Sequence, residues 1–133
     1  MEPTVNKKGL IDTDILIDSL RGDKAAEQFL FDLFEDETIP ICVITAMELI
    51  RGSRNSAELR TIQQFLERFH ILPLNHSIAN KAYEWMIMFS LSYSLEIPDA
   101  LIAATASENG LTLFSKNIRH YRMIPNLNIH RPY

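Results

Sequence analysis

Gly9-Leu10-Ile11-Asp12-Thr13-Asp14-Ile15-Leu16-Ile17 sets the reading of the whole chain. An uncharged run ends in two acids around a threonine, and apolar residues resume at once. Such a break suits a strand that finishes at Asp12 and a helix that starts beside it, because Asp and Thr side chains satisfy the unpaired N–H groups of a helix start. The helix is expected over Ile15 to Leu20 and closes at Arg21-Gly22.

Outward from this unit the same alternation recurs. Ala25, Phe29, Leu30, Leu33 and Phe34 fall at helical spacing, and the acidic residues 35–37 are expected to turn the chain. Thr38 to Ile44 is uncharged and rich in β-branched residues, the pattern of a buried strand, and a helix follows through Thr45 to Arg51 until Gly52. Leu59, Ile62, Phe65, Leu66 and Phe69 mark another helix. Ile71 to Leu74 reads as a brief third strand, limited by Pro73. Ser77 to Tyr93 and Ala100 to Ser107 read as helices, Leu111 to Phe114 as a fourth strand and Leu127 to Ile129 as a fifth. Strands that alternate with helices give an α/β domain with a largely parallel sheet, since each return to the same edge needs a crossover.

The composition agrees. A chain of 133 residues, 47% hydrophobic and 23% charged, makes one domain over 1–133 and excludes a two-domain enzyme, a fibre or a repeat array. Its single cysteine, Cys42, closes no internal disulfide and rules out a multi-cysteine zinc site, so a reducing cytoplasm is the expected compartment. Lys7 and Lys8 are followed by Asp12, Asp14 and Asp18 rather than an apolar signal core. The uncharged run Trp85 to Leu95 has eleven residues, well short of the ~20 that cross a bilayer, so no membrane span is expected. The net charge of −4 is unevenly laid out: no acid follows Glu108, whereas Lys116, Arg119, Arg122 and Arg131 do. That segment suits phosphate, although solvated surface charge explains it equally well.

Sites in parallel sheets collect beyond the carboxyl ends of the strands. Asp12 ends the first strand, Glu48 opens the helix after the second, Asp99 opens a later helix and Asn117 follows the fourth strand, so these groups are expected to converge. Gathered carboxylates raise one another's pKa unless a cation neutralises them. Oxygen ligands without cysteine favour magnesium or manganese, and phosphodiester hydrolysis is the chemistry that such an ion assists. Each acid also has a capping explanation. Asp12 and Asp14 suit a helix start, Thr45-Ala46-Met47-Glu48 matches a capping box, and Asp99 after Pro98 complements a helix dipole.

Taken together, the stations resemble those of the PIN domain nucleases, and especially the VapC toxins of toxin-antitoxin pairs. Leu10 to Ile17 looks like the first acidic motif, Thr45 to Gly52 the second, Pro98 to Ala106 the third, and Leu111 to Asn117 the strand and T/S-x-N/D turn of the fourth. The resemblance implies a three-layer α/β/α sandwich around a parallel sheet of four or five strands. It implies Asp12, Glu48 and Asp99 as a magnesium-binding triad, with Asp14, Asn117 and Ser115 in support. It further implies metal-dependent cleavage of RNA to a 5′-phosphate and a 3′-hydroxyl, a cognate antitoxin, and a homodimer. Arg21, Arg51 and Lys116 lie near the motif ends, where they suit an RNA backbone or a helix dipole.

One departure stands out. Many relatives carry a further aspartate in or after the fourth motif, where this chain has Asn117 and then His120. Asparagine brings oxygen without charge, so a single ion, or a site completed by RNA phosphate, is expected. His70, His76 and His130 have no metal-triad spacing, and Phe31, Phe34, Tyr83, Trp85 and Met88 suit the core or a subunit contact. A catalytically silent module that binds RNA or protein is the rival reading. Haloacid dehalogenase phosphatases and receiver domains also use clustered acids, but their downstream stations are absent from this chain.

Overall fold

The computed structural model describes residues 8–34 and 38–133. The turn expected at 35–37 and the lysine at 7 lie outside the described residues. The elements run β1 (Gly9–Ile11), α1 (Thr13–Leu20), α2 (Lys24–Leu33), β2 (Ile39–Cys42), α3 (Val43–Arg51), α4 (Ser56–Leu66) and β3 (Phe69–Leu72). Then come α5 (His76–Tyr93), α6 (Ile97–Glu108), β4 (Thr112–Phe114), α7 (Ile118–Tyr121) and β5 (Ile129–His130).

Every strand pairing is parallel. Ladders join β1 to β4 and β4 to β5 in one set and β2 to β3 in the other, while β1 lies against β2. The strands β2 and β3 are thus laid on one side of β1, and β4 and β5 on the other. The chain reverses its direction of growth between β1 and β4, and a crevice opens at such a reversal.

Alternation along β1 and β4 builds the two outer layers. Leu10 pairs with Leu113, and both pack with Ile78, Trp85 and Ile102 of α5 and α6. Ile11 pairs with Phe114, and both pack with Ile15, Leu16, Leu30, Leu49 and Leu66 of the α1–α4 side. Helices therefore cover both faces in an α/β/α arrangement, as expected. Gly9 permits the closest approach: a Cβ there would collide with the Phe114 ring and lie 2.9 Å from the Thr112 carbonyl oxygen.

Some boundaries differ from the sequence expectation. The second strand stops at Cys42, and the β-branched residues Val43 and Ile44 enter α3 instead, ahead of Thr45 where the helix was expected to begin. Helix α3 sets Ile44 against one core and Ala46 and Leu49 in the other, and this packing of the whole helix outweighs the local strand preference. The capping box at Thr45–Glu48 does not form, because α3 already begins at Val43 and Glu48 bonds elsewhere. The third strand starts earlier, at Phe69, so Pro73 falls beyond it. Phe31, Tyr83 and Met88 are exposed rather than core residues, whereas Trp85 is buried.

Candidate active site

Asp12 is held at the mouth of the crevice between β1 and β4. Its N–H extends the ladder to the Phe114 carbonyl at 2.9 Å, which fixes its backbone beside Ser115. Its carboxylate is 4% exposed and accepts three bonds. The Thr13 N–H donates to Oδ1 at 2.8 Å, while the Ser115 hydroxyl at 2.7 Å and the Tyr121 hydroxyl at 2.9 Å donate to Oδ2. A carboxylate offers about four acceptor positions, so roughly one remains open, on Oδ1. Asp12 therefore caps α1, as the quieter sequence reading held, while also facing the crevice.

Tyr121, buried on α7, joins Asp12 to Asp99. Its hydroxyl lies 3.2 Å from Asp99 Oδ1, and its single proton is offered chiefly to Asp12, the nearer acceptor. Asp99 sits in the first turn of α6, directly after Pro98, and the His120 Nδ1 approaches its Oδ2 at 3.4 Å. Burial, followed by the negative charge of Asp12, pushes the Asp99 carboxyl up to about 6. The same two causes act on the Tyr121 phenol, with Asp99 adding to them, and hold it well above its ordinary range.

On the other flank, Asp14 ties α1 to the segment after β4. Its Oδ1 accepts from Ile15 N at 2.9 Å and its Oδ2 from Lys116 N at 2.9 Å. Burial, then Asp12, pushes its carboxyl up to about 6 as well. Glu48 stands at the solvent side of α3 and accepts from the Thr13 hydroxyl at 2.8 Å; that hydroxyl is also 3.1 Å from Thr45 Oγ1. Asn117 directs its N–H to the Ser115 hydroxyl oxygen at 3.0 Å.

One bonded network thus runs from Glu48 through Thr13 to Asp12, and from there through Tyr121 to Asp99. Thr13 and Tyr121 were not singled out in the sequence. Thr13 was legible as the residue between two acids; Tyr121 follows no periodic pattern, and only the fold brings it 22 positions back to Asp99. Of the expected basic contacts, Lys116 is engaged by Asp18 at 2.7 Å and lies 5.2 Å from the Tyr133 ring. Arg51 is exposed at the end of α3. Arg21 lines a groove of about 530 Å³ that Glu48, Leu20, Arg54 and Ile62 also line.

The donor chemistry suits a hard divalent cation: these are oxygen ligands, and two of the carboxyls are destabilised as anions. Asp12 and Asp99 meet on one hydroxyl. Among the described residues, no group of three His, Cys, Asp or Glu side chains draws together around a single point, and Glu48 is tied to Thr13 instead.

The fold and the site together define a parallel α/β/α domain with one buried acid, Asp12, and the half-buried Asp14 and Asp99 at its switch point. Residues 9–124 match the PIN domain model, and the chain belongs to the PIN domain family. It is similar to Ribonuclease VapC10 of Mycobacterium tuberculosis, 36% identical over 119 residues that cover 89% of each chain. Ribonuclease VapC19 of the same species is 33% identical over 120 residues, covering 89% of this chain and 95% of the relative. Among solved structures, a toxin-antitoxin complex from Klebsiella pneumoniae aligns with a TM-score of 0.78 at 30% identity, over 94% of this chain and 98% of that one. DNA-bound VapBC from Salmonella typhimurium aligns with a TM-score of 0.81 at 23% identity, over 95% and 98%, a likeness of fold.

Proposed function

We propose that this chain is a magnesium-dependent endoribonuclease and the toxin of a VapBC-type pair. The observation that carries the reading is the meeting of Asp12 and Asp99 on the Tyr121 hydroxyl at the switch point of the sheet. The names of its relatives, which are ribonucleases, and of the complexes it resembles support the substrate and the antitoxin.

Asp12, Asp99 and Glu48 are the residues that would hold Mg2+, with Mn2+ as a substitute. When bound, the ion supplies Lewis-acid polarisation of the scissile phosphate and offsets the carboxylate charge. Ser115 and Thr13 fix the Asp12 carboxylate and leave its remaining acceptor position free. Asp14 holds the Lys116 backbone and so fixes the segment between β4 and α7. Cleavage leaves a 5′-phosphate and a 3′-hydroxyl. A homodimer is part of the proposal: Tyr83, Ile87 and Leu91, four residues apart on α5, form an exposed row that a second copy would cover. The reduced, buried Cys42 suits work in the cytoplasm.

Purified protein is expected to cut RNA when Mg2+ is supplied and to stop in EDTA, and Asp99→Asn is expected to lose at least about a hundredfold in rate while melting as a folded protein. Cleavage that continues in EDTA overturns the mechanism. The rival reading, a silent binding module, draws on the absence of a threefold acidic cluster among the described residues. RNA binding without any metal-stimulated cleavage would select it.

A further inference from the structure

We propose that α7 forms a cationic wall along which a single-stranded RNA backbone enters the crevice, with Arg119 and Arg122 as its phosphate contacts. The inference rests on the ribonuclease reading above and assigns that site its entry path.

Charge is segregated along the chain. Residues 109–133 hold four of the 13 Lys and Arg and none of the 17 Asp and Glu, so the preceding 108 residues carry a formal −8. The fold converts this sequence asymmetry into a spatial one. The basic segment becomes β4, α7 and β5, and the acids that meet it come from the β1–α1 junction and the first turn of α6. The helix α7 is anchored at the crevice by its buried face: Tyr121 bonds to Asp12, and His120 reaches Asp99.

Arg119 and Arg122 flank that anchor, three residues apart and therefore neighbours on a helical surface. Arg122 keeps helical backbone angles as the C-cap, so the spacing holds. Both side chains are exposed, and among the described residues neither forms an ion pair. Other cations are committed: Arg54 to Glu58, Lys81 to Glu108, Lys116 to Asp18, and Arg68 to the Phe34 ring. A polyanion is repelled by an acidic pocket and approaches along whichever side carries free positive charge. That side is α7.

The test measures binding of a labelled, mixed-sequence oligoribonucleotide in EDTA by fluorescence anisotropy across a salt series, alongside steady-state cleavage in Mg2+. The double variant Arg119→Gln/Arg122→Gln is compared with a charge-matched double variant, Lys24→Gln/Arg60→Gln, on α2 and α4. The α7 variant is expected to bind about tenfold more weakly at low salt, with a log–log salt slope smaller by about 1.4, for two lost contacts to single-stranded nucleic acid. Its KM rises with kcat within about twofold, and the charge-matched variant follows the wild type. An α7 variant with wild-type affinity and slope overturns the inference while wild-type cleavage leaves the ribonuclease reading standing. Unchanged RNA affinity with lost retention on poly-glutamate overturns it too, and gives the wall to an acidic protein segment. A wild-type protein that neither binds nor cuts RNA overturns both.

Discussion

Tyr121 has one phenolic proton to divide between two carboxylates that repel each other. Replacing it with Phe keeps the ring in the core formed with Leu10 and Leu113 but strips a bond from each acid. Loss of a buried hydrogen bond to a charged group costs about 1.5–3 kcal/mol, so Tyr121→Phe is expected to unfold at lower denaturant in EDTA. If the carboxylates hold a cation, Mg2+ should recover more stability in this variant than in the wild type, since their repulsion is then less relieved by the protein itself. Equal gains by denaturant titration would show that the hydroxyl only fills space. Lys116 illustrates the opposite case. Its charge, read from the sequence as a candidate for phosphate, is answered within the molecule by Asp18, whose own carboxyl that ion pair holds below its ordinary range.

At the level of elements, β1 shows how little chain is needed to place a site. Gly9 leaves room for the Phe114 ring, and the parallel register then brings Asp12 beside Ser115. Gly9→Ala is expected to cost about 1–3 kcal/mol through overpacking, read as a lower Tm, and to shift Asp12 with it. An unchanged Tm would mean that the Phe114 ring turns aside freely. The strand, its acid and the helix after it were legible in nine consecutive residues, because an apolar run that breaks into Asp-Thr-Asp has few other structural uses. The start of α3 was not legible: Val43 and Ile44 favour strands locally, and only the packing of the helix they begin, with Ile44 against one core and Ala46 and Leu49 in the other, overrides that. The four-residue α7 was also missed, since one turn offers no period to detect, and with it went Tyr121. Motif spacing and the family resemblance therefore pointed to the acids and to Ser115, whereas Thr13 and Tyr121 emerged as hydroxyl partners only from tertiary structure.

For the molecule as a whole, half-buried acids make folding sensitive to pH. Asp14 and Asp99 ionise near 3.8 in an unfolded chain but near about 6 in the folded one, so across that interval the folded state binds more protons. Stability of the ion-free protein should then fall as pH rises from about 4 to about 6, and level off above. Thermal melts in EDTA are expected to show this decline, weakened in Asp99→Asn; a Tm that climbs through the interval would refute it. Asp18 has the reverse sign, and its contribution is lost only as pH drops below 3.8. Strand order carries a temporal meaning as well. The edge of β1 that bears Asp12 stays bare until residues 112–114 have been made, for those are the ones that pair with it. A nascent chain that stops just short of that point carries Asp12, Asp14, Glu48 and Asp99 but neither the Ser115 nor the Tyr121 hydroxyl that holds the Asp12 carboxylate. Whatever chemistry the crevice performs is therefore withheld from the growing chain until residues 112–121 have been added.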